Sequence, residues 1–464
     1  MAIWKPELTG RSGPKYLRIV NALAEGIKTG LLQPGTRLPP HRELAYQLGV
    51  SPNTTSRAYA EGVARSLITG EVGRGTYVRG PDDGAAAGAP ADLHRSASGP
   101  IELSRNLPSP GFAADCLAAT LAELGASPRL QGLVDYQTEA DLGDHAEAGI
   151  DWLGRCGLAA ERDNVVVTNG AQHGIFCALM AITRPGALLL TEELTYAPVK
   201  AMAAHLGLKL KWVSGDEGGL CPDALDAMCT HNAVSALYVT PTLHTPTTIT
   251  LNSARRDAIA EVCRRHDVFL IEDDVFGPLK PDRPDPIAVR IPERTFFVTS
   301  TSKCLAPGLR VGFARAPSSE AVALRSAVNL STWMTPPLMA EIAARWIRDG
   351  TADRLTAAQR TEAVRRQDVA RSIFAGQSFR SDRHGLHFWL TLPSDWTAQA
   401  FKAEAGHRGV TVTEGAAFAA GPGVVPNAVR LCLSHEPDPR RLQSGLETLR
   451  AILGGFPTRS ALVL

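Results

Sequence analysis

The sequence predicts an α/β protein: a mostly parallel sheet covered by helices, with a winged helix-turn-helix before it and a smaller C-terminal α/β subdomain after it. Three observations support this. The chain has 464 residues, too many for one ordinary core. Residues 1–79 hold eleven Lys and Arg against five Glu, a net charge of +6, and the remainder carries −5. Short apolar runs alternate with helical stretches, and they lie at 164–168, 187–191, 235–240, 267–272 and 295–299.

Composition excludes several classes of protein. Hydrophobic residues make up 44% and charged residues 20% of the chain, as is typical of globular proteins. No apolar stretch approaches the roughly 18 residues of a membrane span, and the first residues lack the apolar core of a signal peptide. The eight cysteines form no CxxC pair, which predicts neither a metal site nor a disulfide framework. We therefore expect a cytoplasmic protein with reduced thiols, no bound metal and no membrane partner.

Residues 1–79, which we call the head, have the pattern of a winged helix-turn-helix. Apolar residues recur at helical spacing over Tyr16–Ile27. A second helix is predicted to open within Arg37–Ala45, with two prolines in its first turn, and to close at Gly49. A third helix is predicted over 52–64 and a β-hairpin over 67–78. This order places the third helix in the major groove of double-stranded DNA and the hairpin beside the backbone.

The head resembles the DNA-binding domain of GntR-type bacterial regulators. The resemblance rests on four strings: Pro-Gly-x-Arg-Leu-Pro-Pro at 34–40, Arg-Glu-Leu-Ala at 42–45, Leu-Gly-Val-Ser at 48–51 and Gly-x-Gly-Thr-Tyr-Val at 73–78. It implies that four arginines contact phosphates or base edges: Arg37, Arg42, Arg57 and Arg74. It also implies a recognition surface made of Ser51, Asn53, Thr54 and Thr55. Residues 80–100 lack apolar periodicity and predict a flexible linker.

Polar residues follow the predicted strands of residues 101–464, which we call the body. Lys303 and Arg310 lie in one Ser/Gly/Pro-rich turn, where they offer an amine to an aldehyde and a guanidinium to a phosphate. Asn169–His173 forms a strand–glycine–helix turn suited to phosphate binding. Asp273 ends an apolar strand, and Arg430 lies inside one, where burial is costly unless it binds an anion. These are the groups that pyridoxal 5′-phosphate (PLP) requires.

Together these strings resemble the fold-type I, aminotransferase-like PLP proteins over roughly residues 101–455. The resemblance implies that Lys303 forms the imine with PLP, Asp273 pairs with the pyridine nitrogen and Arg430 binds a ligand carboxylate. It assigns the phosphate to Gly170, Ala171, Gln172, Ser300 and Arg310. Tyr196 is expected to stack on the ring, and Tyr136 to reach the phosphate of a partner subunit, which implies a homodimer.

Two departures from the family pattern lie at the cofactor's 3′-oxygen. Thr245 occupies the place of an asparagine in the string 241–248, and Val275 and Phe276 stand where a tyrosine is usual. Losing those hydrogen bonds alters the tuning of the imine pKa. Thr245 is expected to replace one bond, or His244 to swing in. The sequence thus predicts PLP binding with slow transamination.

The head, linker and body together resemble the MocR subfamily of bacterial transcriptional regulators. The resemblance implies a PLP-dependent DNA-binding regulator that senses an amine, an amino acid or PLP itself. It also implies a homodimer, and members of the subfamily commonly swap heads between subunits. Two alternatives stay open: an aminotransferase carrying a DNA-binding head, and a body that has lost the cofactor and serves only for dimerisation.

Overall fold

The computed structural model describes residues 4, 6, 14–33, 36–64, 67–71, 75–78, 99–137, 139–421 and 425–455. The chain separates into two compact units, one within residues 1–94 and one within 95–461. Arg74 and all but the last two residues of the predicted linker lie outside the described residues. Within the described ranges, no helix combines the length and the apolar character needed to cross a membrane.

The head is built from three helices and a three-stranded antiparallel sheet of order β1-β3-β2. The elements are α1 (Lys15–Lys28), β1 (Arg37–Leu38), α2 (His41–Leu48), α3 (Pro52–Ala64), β2 (Ile68–Glu71) and β3 (Gly75–Val78). The predicted third helix and hairpin are present. The second helix begins only at His41, and Arg37–Leu38 instead pairs with β3. Gly49 ends α2 in the left-handed conformation, which glycine adopts without strain.

The described part of the body contains eleven further helices and fifteen strands. Its first half comprises β4 (Ile101–Glu102), α4 (Ala114–Gly125), α5 (Glu139–Arg155), β5 (Val165–Thr168), α6 (Ala171–Ile182), β6 (Leu188–Glu192), α7 (Ala197–His205), β7 (Lys209–Val213), β8 (Gly215–Asp216), β9 (Gly219–Leu220) and α8 (Pro222–His231). Next come β10 (Val234–Val239), α9 (Ser253–Arg265), β11 (Phe269–Asp273), β12 (Thr295–Ser300), β13 (Gly312–Arg315), α10 (Ala321–Thr332), α11 (Pro337–Arg348) and α12 (Thr351–Ile373). The last elements are β14 (Phe379–Ser381), β15 (His387–Thr391), α13 (Ala398–His407), β16 (Val410–Thr411), β17 (Thr413–Glu414), β18 (Ala428–Cys432) and α14 (Pro439–Leu453).

A seven-stranded sheet forms the centre of the body, in the order β5-β13-β12-β11-β10-β6-β7. All pairings are parallel except the two made by β13, so the predicted mostly parallel sheet is confirmed. Apolar side chains of α6, α7 and α10 pack on one face, and those of α8 and α9 pack on the other. Burial on both faces explains why these strands are apolar almost throughout.

The C-terminal subdomain is a four-stranded antiparallel sheet, β14-β15-β18-β17, packed on α12, α13 and α14. Its two main strands, β15 and β18, lie within the apolar sequence strings 386–392 and 428–433. The first strand of the body also belongs here, because β4 pairs in parallel with β16. Leu103 then lies in the subdomain core, and its carbonyl accepts a hydrogen bond from the Cys432 amide. The body therefore begins and ends in the same subdomain, which sequence patterns did not predict.

Candidate functional site

A pocket lies at the carboxyl ends of the central strands, where α/β proteins bind their ligands. It is lined by Asn106, Ala171, Gln172, Ile175, Tyr196, Thr240, Thr245, Asp273, Val275, Phe276, Ser300, Ser302, Lys303, Arg310 and Arg430. Nine of the residues nominated from the sequence are among them. Gly170 lies directly beside it, at the start of α6. The pocket thus gathers residues that are more than 300 positions apart in the chain.

Lys303 ends a short 3₁₀ turn that follows β12 directly. The turn is capped by the Ser300 hydroxyl, which accepts a hydrogen bond from the Ser302 amide at 3.3 Å. The Lys303 ammonium nitrogen contacts the backbone carbonyl of Asn106 and lies 5.5 Å from the centre of the Phe276 ring. Burial lowers the pKa of Lys303 to about 8. A neutral amine is therefore readily available near neutral pH, as attack on an aldehyde requires.

Asp273 ends β11 and presents one free oxygen to the pocket. Its Oδ2 accepts a hydrogen bond of 2.7 Å from the Tyr238 hydroxyl, which comes from the neighbouring strand β10. Its Oδ1 is buried and has no hydrogen-bond partner among the described residues. Burial raises the pKa of Asp273 to about 6. An incoming cationic N–H group would satisfy Oδ1 and stabilise the charged carboxylate.

The phosphate-binding candidates gather at the amino end of α6. Gly170 has a φ of 79°, and a Cβ there would lie 2.8 Å from the Arg310 Nη2 atom. Both constraints favour glycine. Arg310 itself has a φ of 54° and donates from Nη2 to the Asn169 carbonyl at 3.2 Å. The first amides of α6 and a guanidinium therefore converge, as anion binding at a helix amino terminus requires.

Tyr196 and Thr245 occupy the places expected from the sequence. The Tyr196 hydroxyl donates to Gln172 Oε1 at 3.2 Å, and burial raises the pKa of Tyr196 to about 12. The Thr245 hydroxyl is buried and unpartnered among the described residues. The His244 ring is held elsewhere, since its Nε2 lies 2.9 Å from the Leu194 carbonyl and its Nδ1 lies 2.7 Å from the Thr247 hydroxyl. Thr245 therefore has a free hydroxyl for a hydrogen bond to the cofactor's 3′-oxygen, whereas the His244 ring is already hydrogen-bonded elsewhere.

Arg430 reaches the pocket from β18 of the C-terminal subdomain. Its side chain is 8% exposed, and its guanidinium carbon lies 4.7 Å from the centre of the Phe418 ring. Nη2 donates to the Ser104 carbonyl at 2.6 Å, and Nε is buried without a described partner. A carboxylate accepts stronger hydrogen bonds from a guanidinium than a carbonyl does. We therefore expect an anionic ligand to displace the Ser104 carbonyl from Arg430.

Sequence reasoning missed four residues that line the pocket, Asn106, Ile175, Thr240 and Ser302, and two that support it, Tyr238 and His387. Asn106 precedes α4 and donates from its amide to His387 Nδ1 over 3.1 Å. Asn106 lies 197 residues from Lys303 along the chain. Only Ser302, adjacent to Lys303, had a local signal.

Five buried polar atoms around the pocket lack partners among the described residues: Asn106 Oδ1, Thr245 Oγ1, Asp273 Oδ1, Ser302 Oγ and Arg430 Nε. Buried polar groups in proteins are normally satisfied, so this cluster indicates a site that a polar ligand completes. Their types match PLP and an attached carboxylate: an acceptor for a pyridinium N–H, hydroxyls for oxygens and a guanidinium for an anion. The residues therefore fit the cofactor. Within the described ranges, no group of three or more His, Cys, Asp or Glu side chains is arranged to hold a metal ion.

The head presents most of its nominated DNA contacts to solvent. Arg37, Arg42, Ser51, Asn53 and Arg57 are exposed, and Thr54 is half-buried. The Arg57 guanidinium lies over the Tyr16 ring, 4.1 Å from its centre.

Thr55 was wrongly placed on this recognition surface. It is fully buried, and its hydroxyl donates to the carbonyls of His41 at 2.7 Å and Pro52 at 2.9 Å. Its place on the inner side of α3 makes it a tie between α2 and α3. The run of four adjacent polar residues did not reveal that Thr55 is buried, because one position in each helical turn faces inward.

Comparison with known proteins agrees with this geometry. Residues 101–448 match the aminotransferase class I and II family, and residues 15–78 match the gntR family of bacterial regulatory proteins. The uncharacterised HTH-type transcriptional regulator YdeF of Bacillus subtilis is 26% identical over 450 residues, covering 97% of this chain and 96% of that protein. The vitamin B6 salvage pathway transcriptional repressor PtsJ of Salmonella typhimurium is 29% identical over 420 residues, covering 90% of this chain and 93% of its own.

The chain combines a GntR head with an aminotransferase body, and relatives share this combination along nearly their whole length. This combination identifies the family. The chain belongs to the MocR subfamily. Its members are transcriptional regulators by architecture, and the HTH-type transcriptional regulator TauR of Rhodobacter capsulatus is a further relative, 27% identical over 448 residues that cover 88% of this chain and 90% of TauR.

Solved structures place the MocR body in the aminotransferase fold. An archaeal alanine:glyoxylate aminotransferase superposes with a TM-score of 0.71 at 21% identity, covering 77% of this chain and 91% of the enzyme. A kynurenine aminotransferase of Pyrococcus horikoshii gives the same TM-score at 22% identity, with the same coverage. The fold-type I prediction is thereby confirmed.

Proposed function

We propose that this MocR chain is a PLP-dependent transcriptional regulator whose pocket senses an amine or amino acid, or PLP itself. The observation that carries the proposal is the set of five unpartnered buried polar atoms around Lys303. An apolar or vestigial body has no reason to keep such a set, because each unsatisfied buried group costs about 1–3 kcal/mol. This argues against a body that serves only for dimerisation.

In this proposal each end of the cofactor has its own binding residues. The amides of Ala171 and Gln172, with Ser300 and Arg310, bind the phosphate, and Tyr196 covers the ring. Asp273 accepts the pyridine N–H, with Tyr238 holding its other oxygen. When bound, PLP supplies an aldehyde that condenses reversibly with primary amines. Lys303 presents such an amine, and burial keeps it largely uncharged above pH 8.

The proposed effector is an amine that carries a carboxylate. Arg430 brings a buried guanidinium into the pocket from β18, and its Nε has no partner among the described residues. The alternative signal is PLP itself, and the Salmonella relative PtsJ, a transcriptional repressor of the vitamin B6 salvage pathway, supports this alternative. An effector regulates only if it binds one conformation of the protein better than another.

The proposed partner of the head is double-stranded DNA. Exposed Arg37, Arg42 and Arg57 supply phosphate contacts, and Ser51 and Asn53 at the start of α3 face the bases. Arg74 belongs to the same proposal through the sequence alone. The site of action is then the bacterial cytoplasm.

We also propose a homodimer in which Tyr136 completes the partner's phosphate site. Tyr136 is 73% exposed, and its ring lies 5.8 Å from that of Trp333, itself 61% exposed. Two exposed neighbouring aromatic rings on one surface are typical of protein interfaces. The proposal extends to exchange of heads between the two subunits.

An aminotransferase with a DNA-binding head is the second candidate. The pocket supports it through Lys303, Asp273 and Arg430, the groups that bind both cofactor and amino acid. Val275 and Phe276 disfavour it, because neither side chain offers the hydroxyl that tunes the cofactor in the enzymes. Slow turnover is therefore expected.

The experiment is a PLP titration of the purified protein, following the visible absorption band, in wild type and in Lys303→Ala. The band is expected in wild type and absent in Lys303→Ala, and single-turnover reaction with amino acids is expected to be slow. A variant that matches wild type in the response of DNA binding to PLP contradicts the regulatory role of Lys303. Sustained turnover with an amino donor and an oxo acid favours the enzyme instead.

A further inference from the structure

Asn106 places two hydrogen-bond acceptors at the pocket. Its backbone carbonyl contacts the Lys303 nitrogen. Its side-chain Oδ1 is buried and has no partner among the described residues, although the residue lines the pocket. No role in the proposed function has yet been given to either acceptor. The neighbouring carbonyl of Ser104 is occupied by Arg430 and by the Thr413 hydroxyl.

His387 determines which way the Asn106 amide points. It is fully buried, and burial lowers its pKa to about 3, so the ring stays neutral. Its Nε2 lies 3.0 Å from the His244 carbonyl, which only accepts, and Nε2 must therefore carry the ring proton. Nδ1 then accepts, and the Asn106 atom 3.1 Å away must be the amide nitrogen. Oδ1 is thereby left on the other edge of the amide, free for the pocket.

The surroundings of Lys303 make this acceptor important. The charged or titratable groups that face Lys303 are Asp273 on β11, Arg430 and Cys432 on β18, and Arg310. The Phe276 ring lies 5.5 Å from the nitrogen and offers no hydrogen-bond acceptor. The backbone carbonyl of Asn106 contacts the amine directly, and its side-chain Oδ1 lines the same pocket without a partner among the described residues.

We infer that Asn106, oriented by His387, is a positioning residue that sets the proton affinity of the Lys303 nitrogen, both free and joined to the cofactor. Acceptors favour the protonated nitrogen, so loss of an acceptor lowers its pKa and a new negative charge raises it. The inference rests on the proposed function only in that PLP condenses with Lys303.

The test is the pH midpoint of the visible absorption band of the PLP-loaded protein. For Asn106→Leu, of similar size but without an acceptor, we expect a midpoint about one pH unit below wild type. For Asn106→Asp, of equal size but negatively charged, we expect a midpoint about one unit above wild type. His387→Leu frees the amide to turn, and a smaller downward shift is expected. Leu107→Ala, in the same segment, is the control and leaves the midpoint unchanged.

The outcomes separate the two proposals. A wild-type protein with no visible band on PLP addition contradicts the proposed function. A normal wild-type band whose midpoint is the same in both Asn106 variants, or moves in the same direction in both, overturns the role of Asn106 alone. If one Asn106 variant does not bind the cofactor, the other variant tests the inference alone: a midpoint shifted in the expected direction supports the role of Asn106, and any other result overturns it. Thermal unfolding of each apo-protein distinguishes local tuning from general loss of structure.

Discussion

The head and the pocket use polar side chains in opposite ways. In the head, Arg37, Arg42 and Asn53 are exposed to solvent and therefore already satisfied by water. In the pocket, Asp273 and Thr245 carry buried atoms without partners among the described residues. Exposed charges act over a distance, are screened by salt and contribute little individually. Buried unpaired groups act at contact and are expensive to leave unsatisfied.

This difference indicates how the two regions respond to change. A pocket substitution is expected to remove one strong interaction with one part of the ligand. A head substitution is expected to weaken DNA binding by a similar factor on every sequence, unless it touches a base edge. The predictions below test that contrast; they begin with the largest expected effect and end with the smallest.

Asp273→Asn is predicted to have the largest effect, weakening PLP binding about 100-fold. The substitution keeps the size of the side chain and removes a buried charge that pairs with the pyridine nitrogen, an interaction of roughly 2–3 kcal/mol. PLP dissociation constants from absorbance titrations measure this. Tyr238→Phe is the matched variant, since it removes only the supporting bond to Oδ2, and a loss of about tenfold or less is expected. Equal losses in the two variants contradict the assignment of Oδ1.

The pH dependence of binding tests the same carboxyl group. Pyridoxine 5′-phosphate carries an alcohol in place of the aldehyde, so its binding is independent of condensation with Lys303. The pKa of Asp273 is raised to about 6 by burial, so the carboxyl is charged at pH 7 and protonated at pH 5. Affinity should fall as pH falls through 6, by about tenfold at pH 5. In Asp273→Asn this step should disappear, and its persistence there would assign the titration to another group.

Arg430→Leu should weaken carboxylate ligands selectively, by about 10- to 100-fold. It removes a charge-assisted hydrogen bond to the ligand and leaves the Ser104 carbonyl with its Thr413 contact. The measurement compares an amino acid with the amine of the same carbon skeleton that lacks the carboxylate, by the spectral change on the PLP-loaded protein. The simple amine should be affected less than threefold. Equal losses for both ligands contradict carboxylate recognition by Arg430.

The smallest effect is expected in the head, from Arg42→Ala. DNA binding should weaken several-fold, similarly on specific and unrelated sequences, and the slope of log affinity against log salt should decrease by about 1. Thr55→Val is the matched comparison, because it removes a buried hydroxyl and no charge. It should lower the stability of the head by roughly 1 kcal/mol and leave the salt slope unchanged. Weaker DNA binding in Thr55→Val with unchanged stability of the head would contradict the buried, structural role of Thr55.

Sequence reasoning was most successful where a single segment carries the signal. Five of the seven strands of the central sheet, β5, β6, β10, β11 and β12, were predicted within one or two residues, because strands buried on both faces are apolar runs. The strands β7 and β13 were not predicted. Lys303 and Arg310 share one turn, so the sequence showed them together. The structure then explains the glycine at 170 by its positive φ and by the approach of Arg310. Arg430 was predicted from the cost of burying a cation in an apolar strand, and it lines the pocket as expected.

The rest depended on contacts between distant segments. Asn106 and His387 meet across 281 residues, and no local pattern identifies either as part of a pocket. Tyr238 looked like one more apolar strand residue until its register beside β11 placed it on Asp273. Thr55 was misjudged because composition does not show which face of a helix is buried. Side-chain partners of this kind require the tertiary structure.

The most direct test of the central proposal is a titration of the full-length protein onto DNA from its own upstream region, without and then with PLP, recording the visible absorption band in the same samples. We predict sequence-selective binding whose affinity changes in proportion to the formation of the Lys303 band. Selective binding that is identical before and after the band forms contradicts the coupling of pocket and head. If the band forms but DNA binding is weak and unselective, the proposed regulatory function is contradicted and the aminotransferase remains the better candidate.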